Sequence, residues 1–293
     1  MGSSTPVVLV HGFWHGTWCW SLVTQELAVR GVPSVAVDLD GHGLKNHSPA
    51  ARWQRPFDPS AYADEVSAVV AVNASSAAAT LVAQLRQIGR GQPCVVVAHS
   101  MGGTVATLAA ELAPELISEL VYLAAFAPSG RPALAYVFSE ENAGELVSPN
   151  LIGDPAAIGA LRLDTGDAGR RAALREAFYQ DVDEGTAEAA LTLLGTDGPI
   201  GIAAEPIMVT ADRFGSIPHT YVVCRQDNAL RPALQRRLIT EIDALSARPT
   251  RVIELDSSHS PFFSQPAVLA DSIVDVRRTA ERHSGHYTEP TSV

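Results

Sequence analysis

The stretch Val95-Val96-Val97-Ala98-His99-Ser100-Met101-Gly102-Gly103 constrains this chain more than any other. Three β-branched residues run into a serine between small residues, and a helix-forming segment from Thr104 to Ala113 follows. β-Branched side chains favour extended backbone and alanine-rich segments favour helix, so the stretch reads as strand, sharp turn, helix. Such a turn pushes Ser100 above the sheet and tolerates no bulk two residues to either side. Ala98 and Gly102 meet that demand, although Gly at both positions is the commoner pattern. A buried strand ending in a glycine-capped turn, with Ser100 incidental, would leave the same motif, so the rest of the chain has to decide.

Pro6 to Val10 is an apolar run of strand length ending at His11-Gly12-Phe13-Trp14-His15-Gly16. Helical spacing then puts Trp20, Val23, Leu27 and Ala28 on one face, closed by Gly31 and Pro33, and Ser34 to Val37 is the next short strand. From Leu44 to about Ser76 the connection is too long to be simple, and Trp53, Phe57 and Tyr62 favour a packed loop near a pocket. A helix over Ala77–Ile88 leads to the central strand, and Leu116–Ala125 gives another. From Pro128 to about Ser216 the rhythm changes to helical patches over Ala156–Leu161, Arg170–Phe178 and Thr186–Leu194 with acidic loops between them. Alternation resumes with strand Thr220–Cys224, a helix over Pro232–Leu245, strand Arg251–Leu255 and a last helix from about Pro266 to Arg282.

Strands alternating with helices imply an α/β architecture, a mostly parallel sheet with helices on both faces. The expected division is a core of residues 1–127 and 217–283, an inserted helical cap over 128–216, and a flexible polar tail over 284–293. With 46% hydrophobic and 18% charged residues the chain is globular rather than disordered. A net charge of −11 argues against nucleic acid or an anionic membrane as partner. Arg236-Arg237 and Arg277-Arg278 read as solvated helix faces. Cys19, Cys94 and Cys224, an odd number at wide spacing, read as small core residues in a reducing compartment, neither disulfides nor a metal site. No stretch approaches the roughly 18 apolar residues of a membrane span, and the start leaves no room for a signal peptide, so the expected location is cytoplasmic.

Ligands of open parallel sheets gather at the carboxyl ends of the strands. Ser100, His11-Gly12, Asp227 and His259 all fall just after expected strands. A serine hydroxyl attacks only when a base takes its proton, and that base must be held in one tautomer by an acid. In this architecture the chain order is serine, acid, histidine. His219 precedes the best acid at a strand entry, and His283 and His286 sit in the tail, so His259 is the well-placed base. Asp227 follows its strand and is favoured as acid over Asp256, which is only three residues from His259. The backbone N–H groups of Phe13 and Met101 are the expected oxyanion hole. Trp14, Leu230, Phe262 and Phe263, with the side chains of Phe13 and Met101, are candidates to line an apolar pocket.

The segment His11-Gly12-Phe13-Trp14-His15-Gly16-Thr17-Trp18-Cys19-Trp20 resembles the opening of the α/β-hydrolase group that includes plant methylesterases, hydroxynitrile lyases and bacterial pyrethroid-type esterases. Ala98-His99-Ser100-Met101-Gly102-Gly103, Arg225-Gln226-Asp227 and the run from His259-Ser260-Pro261 to Pro266 match the same group in the same order. The resemblance covers the core at both ends and is weak over the cap and over 44–76, which is longer than in the plant members. It implies the α/β-hydrolase fold and a serine hydrolase with catalytic Ser100, Asp227 and His259, cleaving a carboxylic ester of a largely apolar small molecule without metal or organic cofactor. A lyase on the same scaffold and a slow-turnover ligand-binding protein are the alternatives. In the related lyases a lysine follows the histidine and a threonine stands at the position of Gly12. Here Ser260 and Gly12 occupy those places, which points to acyl transfer.

Overall fold

Hydrophobic residues along the central strands divide between two faces, as the period of two requires. Val96 and Ala98 enter one core cluster while Val95 and Val97 enter the other. The computed structural model describes residues 5–283 and Gly285, without the His283 side chain, so the expected tail over 284–293 lies outside the described residues apart from Gly285, as does His286.

In chain order the first half comprises β1 (Val7–Val10), α1 (Ser21–Val29), β2 (Ser34–Val37), α2 (Pro59–Asp64), α3 (Ala74–Gly89), β3 (Cys94–His99), α4 (Gly102–Leu112) and β4 (Ile117–Leu123). The α3 helix begins three residues before the expected start because Asn73 caps it, its side chain accepting from Ser76 N while Ser76 Oγ takes the Asn73 N–H. Between β4 and the next core strand lie α5 (Leu134–Val137), β5 (Leu151–Ile152), α6 (Pro155–Ile158), β6 (Ala160–Leu163), α7 (Ala168–Phe178), α8 (Glu184–Leu193), β7 (Asp197–Pro199) and α9 (Ile200–Ala204). The chain ends with β8 (His219–Cys224), α10 (Pro232–Asp243), β9 (Arg251–Leu255), α11 (Pro261–Ser264) and α12 (Pro266–His283).

Six strands form one sheet in the order β2-β1-β3-β4-β8-β9, and every pairing in it is parallel. Helices α3, α4 and α10 contribute Leu81, Val105 and Leu238 to one face, whereas α1 and α12 contribute Leu27, Leu269 and Ile273 to the other. Each fully buried Val or Leu of this kind contributes about 1.5–3 kcal/mol of transfer free energy. Cys19, Cys94 and Cys224 are buried free thiols within these layers. Of the arginine pairs expected on solvated faces, Arg237 lies half-buried between Glu141 and Glu241, and Arg277 is buried with Nε donating to Thr5 O.

The segment between β4 and β8 departs from the all-helical expectation. Its β5, β6 and β7 form an antiparallel sheet in the order β5-β6-β7. The helix expected over Ala156–Leu161 is one turn, capped by Asp154 and stopped by the left-handed Gly159 (φ +75°), after which the chain extends into β6. At the centre of that sheet the cross-strand pair Arg162–Asp197 is fully buried. Arg162 Nε and Nη2 donate to the two Asp197 oxygens at 2.7 and 2.6 Å, and Nη1 donates to Tyr62 O and Glu65 O at 2.6 and 2.8 Å. Tyr62 Oη donates to Leu163 O at 2.8 Å. Of the three aromatics expected to pack the 44–76 segment, Tyr62 is buried against this small sheet, whereas Trp53 and Phe57 are exposed. Among the described residues none of the segment lines the cavity above Ser100. No helix among the described residues is long and apolar enough to cross a membrane.

Candidate active site

Ser100 sits at the turn between β3 and α4 with φ +51°, a left-handed conformation that a non-glycine residue adopts only at a cost. The turn is fixed by its backbone: Ser100 N donates to Leu123 O, and Ser100 O accepts from Gly103 N and Phe126 N. A Cβ on Gly102 would come 2.2 Å from His11 O, and one on Gly12 would come 2.6 Å from Ser100 Cβ, so both places require glycine for close approach. The Phe13 and Met101 N–H groups, flanking Ser100 from the β1 and β3 turns, have no hydrogen-bond acceptor among the described residues.

The loop after β8 carries Asp227, which is fully buried. Asp227 Oδ1 accepts from Ala229 N and Leu230 N, both at 2.8 Å. Asp227 Oδ2 accepts from His259 Nδ1 at 2.8 Å and from Gln235 Nε2 at 3.2 Å. A carboxylate only accepts, so His259 carries its proton on Nδ1 and leaves the Nε2 lone pair free for the cavity. Asp256 lies apart from this pair: it is exposed and engages Gln226 Nε2 at 2.9 Å and Arg225 at 3.3 Å.

The loop after β9 is held on both sides of His259. Ser258 N donates to Asp181 Oδ2 and Ser258 Oγ to Phe178 O, tying it to the inserted segment. His99 Nε2 donates to His259 O at 3.0 Å, and the two rings lie 4.5 Å apart. Burial holds the His99 and His11 imidazoles well below the usual histidine range, so both stay neutral. His219, read as structural, is a buried first residue of β8 that stacks on Tyr122, lies tilted against Phe214 and meets Ser246 Oγ at 3.1 Å.

Ser100, Met101, Phe13, Trp14, Leu230 and His259 open onto one cavity of about 300 Å³. Leu134, Val137, Phe138, Leu161 and Phe178 from the inserted segment close it from above. Among the described residues the lining includes Glu145 and Asp154 but no lysine or arginine. Phe262 and Phe263, expected in this pocket, are not among its walls. α11 turns them away from Ser100: Phe262 is buried against Trp20 and His99, and Phe263 stacks on Trp18 at 6.1 Å. Two contributors escaped the sequence reading. Gln235 is a fully buried residue on α10 whose Nε2 reaches Asp227 and whose Oε1 accepts from Cys224 N at 3.0 Å. Phe178 covers His259 from α7, with ring centroids 5.8 Å apart. No group of three or more His, Cys, Asp or Glu side chains among the described residues is placed to hold a metal ion.

Residues 7–272 match the model of the alpha/beta hydrolase family. "Methylesterase 7" of Arabidopsis thaliana is 28% identical over 274 residues, covering 92% of this chain and 95% of its own length. "Methyl jasmonate esterase 1" of Vitis vinifera is 26% identical over 274 residues with the same coverage, 92% and 95%. The solved structure of a pyrethroid hydrolase superposes with a TM-score of 0.69 at 26% identity, over 94% of this chain and 98% of that one.

Proposed function

The chain belongs to the alpha/beta hydrolase family, and from that footing we propose that it is an esterase working through Ser100, His259 and Asp227. The observation that carries this reading is the buried Asp227–His259 pair, whose free Nε2 faces the same cavity as a serine held at a strained turn. His259 Nε2 takes the proton of Ser100 Oγ as that oxygen attacks the ester carbonyl. The carbonyl oxygen becomes an oxyanion, and the unpartnered N–H groups of Phe13 and Met101 receive it. Collapse breaks the acyl–oxygen bond, His259 returns the proton to the departing alkoxide, and the acyl group stays on Ser100. Water, deprotonated by the same imidazole, then releases the acid. The relatives named as esterases and the pyrethroid hydrolase support ester cleavage on this scaffold.

Residues 128–216 act as the cap over a core of 1–127 and 217–283, and their apolar side chains select the substrate. A cavity of about 300 Å³ with satisfied or apolar walls suits a small, uncharged, largely apolar ester. Ser260 follows the base, so no cation stands there to hold an anionic leaving group, and a threonine in place of Gly12 would collide with Ser100 Cβ. Both arguments weigh against the lyase alternative. The test is direct. A serine-directed phosphonate should label Ser100, a small activated ester should turn over many times, and cyanohydrins should release negligible cyanide. Ser100→Ala should lose both labelling and ester cleavage. Labelling elsewhere with activity intact, or one stoichiometric burst followed by silence, contradicts the assignment.

A further inference from the structure

The loop His11–His15 is held from two directions, and one of them is the cap. From the core side, Leu39 N donates to His11 Nε2 at 3.1 Å, which leaves the His11 proton on Nδ1 to donate to Gly12 O at 2.7 Å. From the cap side, Tyr179 Oη lies 2.7 Å from His15 Nε2, and His15 Nδ1 lies 2.9 Å from Phe13 O. The carbonyl can only accept, so His15 carries its proton on Nδ1 and Tyr179 supplies its own to Nε2. Trp14 between them sits at φ +62°, outside the ordinary range for such a side chain, so the surroundings must impose that conformation. Two further cap contacts do so: Trp14 Nε1 donates to Leu161 O at 2.9 Å, and Gly195 N donates to Trp14 O at 2.7 Å.

We propose that Tyr179 is a positioning residue for the oxyanion site: its hydroxyl fixes the tautomer of His15, and His15 in turn holds the Phe13 backbone so that the Phe13 N–H aims at the reacting carbonyl. The cap thereby orients catalytic backbone as well as selecting substrate. Tyr179 directly follows α7, is fully buried and packs edge-on against Phe263. Burial holds the His15 imidazole down to about 3 and pushes the phenol up, so the pair remains a neutral donor and a neutral acceptor through the working range. Without the phenol proton, His15 is free to carry hydrogen on Nε2, which turns the Nδ1 lone pair against Phe13 O. The proposal rests on the esterase reading above, because only an acyl-transfer enzyme needs that amide.

The experiment is Tyr179→Phe, which keeps the ring and removes the hydroxyl. kcat for an activated ester should fall by about ten- to a hundredfold, a fraction of the loss of a whole oxyanion donor, with KM little changed. Affinity for a trifluoromethyl ketone that adds to Ser100 should fall by the same factor as kcat/KM. His15→Asn supplies an amide donor that has no tautomer to fix, so Tyr179→Phe should cost nothing further in that background. Unchanged kcat and ketone affinity in Tyr179→Phe would overturn the proposal, as would an undiminished loss in the His15→Asn background. If the unmodified protein cleaves no activated ester at all, the esterase reading falls instead.

Discussion

Asp227 and Asp256 lie in neighbouring loops at the same sheet end, and only burial and direction separate them. Asp227 is fully buried and spends both oxygens on four donors, while Asp256 faces outward to Gln226 and Arg225. Asp227→Asn should therefore lower kcat by about 10⁴-fold, since an amide can donate to Nδ1 and so favour the unproductive tautomer. Asp256→Asn should change it by no more than about twofold, as expected for an exposed pair. Steady-state kinetics on both variants decide the matter, and the opposite ranking would move the acid to Asp256. The positions of Ser100 and Asp227 are legible because each follows a run rich in β-branched residues, Cys94–His99 and His219–Cys224, and that of His259 because it closes the loop after the shorter, half-exposed strand Arg251–Leu255. Gln235 is not: eight residues beyond Asp227 on an amphipathic helix, it looks like any polar helical residue until the helix is docked and its amide meets the carboxylate. Phe262 and Phe263 mislead in the opposite way. Adjacency to His259 suggests the pocket, but the Pro261 turn of α11 directs both rings into the layer beneath.

At the scale of elements, the strands of the six-stranded sheet announce themselves and the small sheet between β4 and β8 does not. β3 and β4 are six and seven residues long, enough for an apolar run to be unmistakable. β5 and β7 have two and three residues, too few to display a period of two. What defines the small sheet is a long-range pair, Arg162 with Asp197, which also grips the carbonyls of Tyr62 and Glu65 in the 44–76 segment. No local pattern marks that arginine as buried. Arg162→Met would leave Asp197 charged, enclosed and without its cation, and should destabilise the fold by about 3–5 kcal/mol. Arg162→Met combined with Asp197→Leu should restore most of that loss, because apolar replacement of both partners removes the stranded charge. Urea midpoints for the two variants give the comparison, and equal midpoints would show that the pair contributes only as packing.

For the molecule as a whole, the arrangement around the site fills the interior with neutral imidazoles. His11, His15, His42, His99 and His219 are all buried, and burial is the largest cause holding each below its usual range, His15 to about 3 and His42 and His219 to about 4. In the unfolded chain each would take up a proton below about pH 6.5, whereas the folded protein excludes it. The unfolded state then binds more protons than the native state, so stability is full above about pH 6.5 and declines as the pH falls toward the folded values. Each such histidine can contribute up to about 1.4 kcal/mol per pH unit in that window, which makes a steep joint slope. A chain of net charge −11 also relieves its self-repulsion on acidification, but carboxylates take up protons near pH 4, below most of the window. Thermal melts should therefore show Tm falling between pH 7 and pH 5, in Ser100→Ala as in the unmodified protein, because the cause is burial and not turnover. His219→Gln, remote from Ser100, should reduce the slope by about one proton's worth. A Tm that is flat or rising on acidification would mean that the interior accepts these protons and that the histidine network is looser than the hydrogen bonds around Phe13 require.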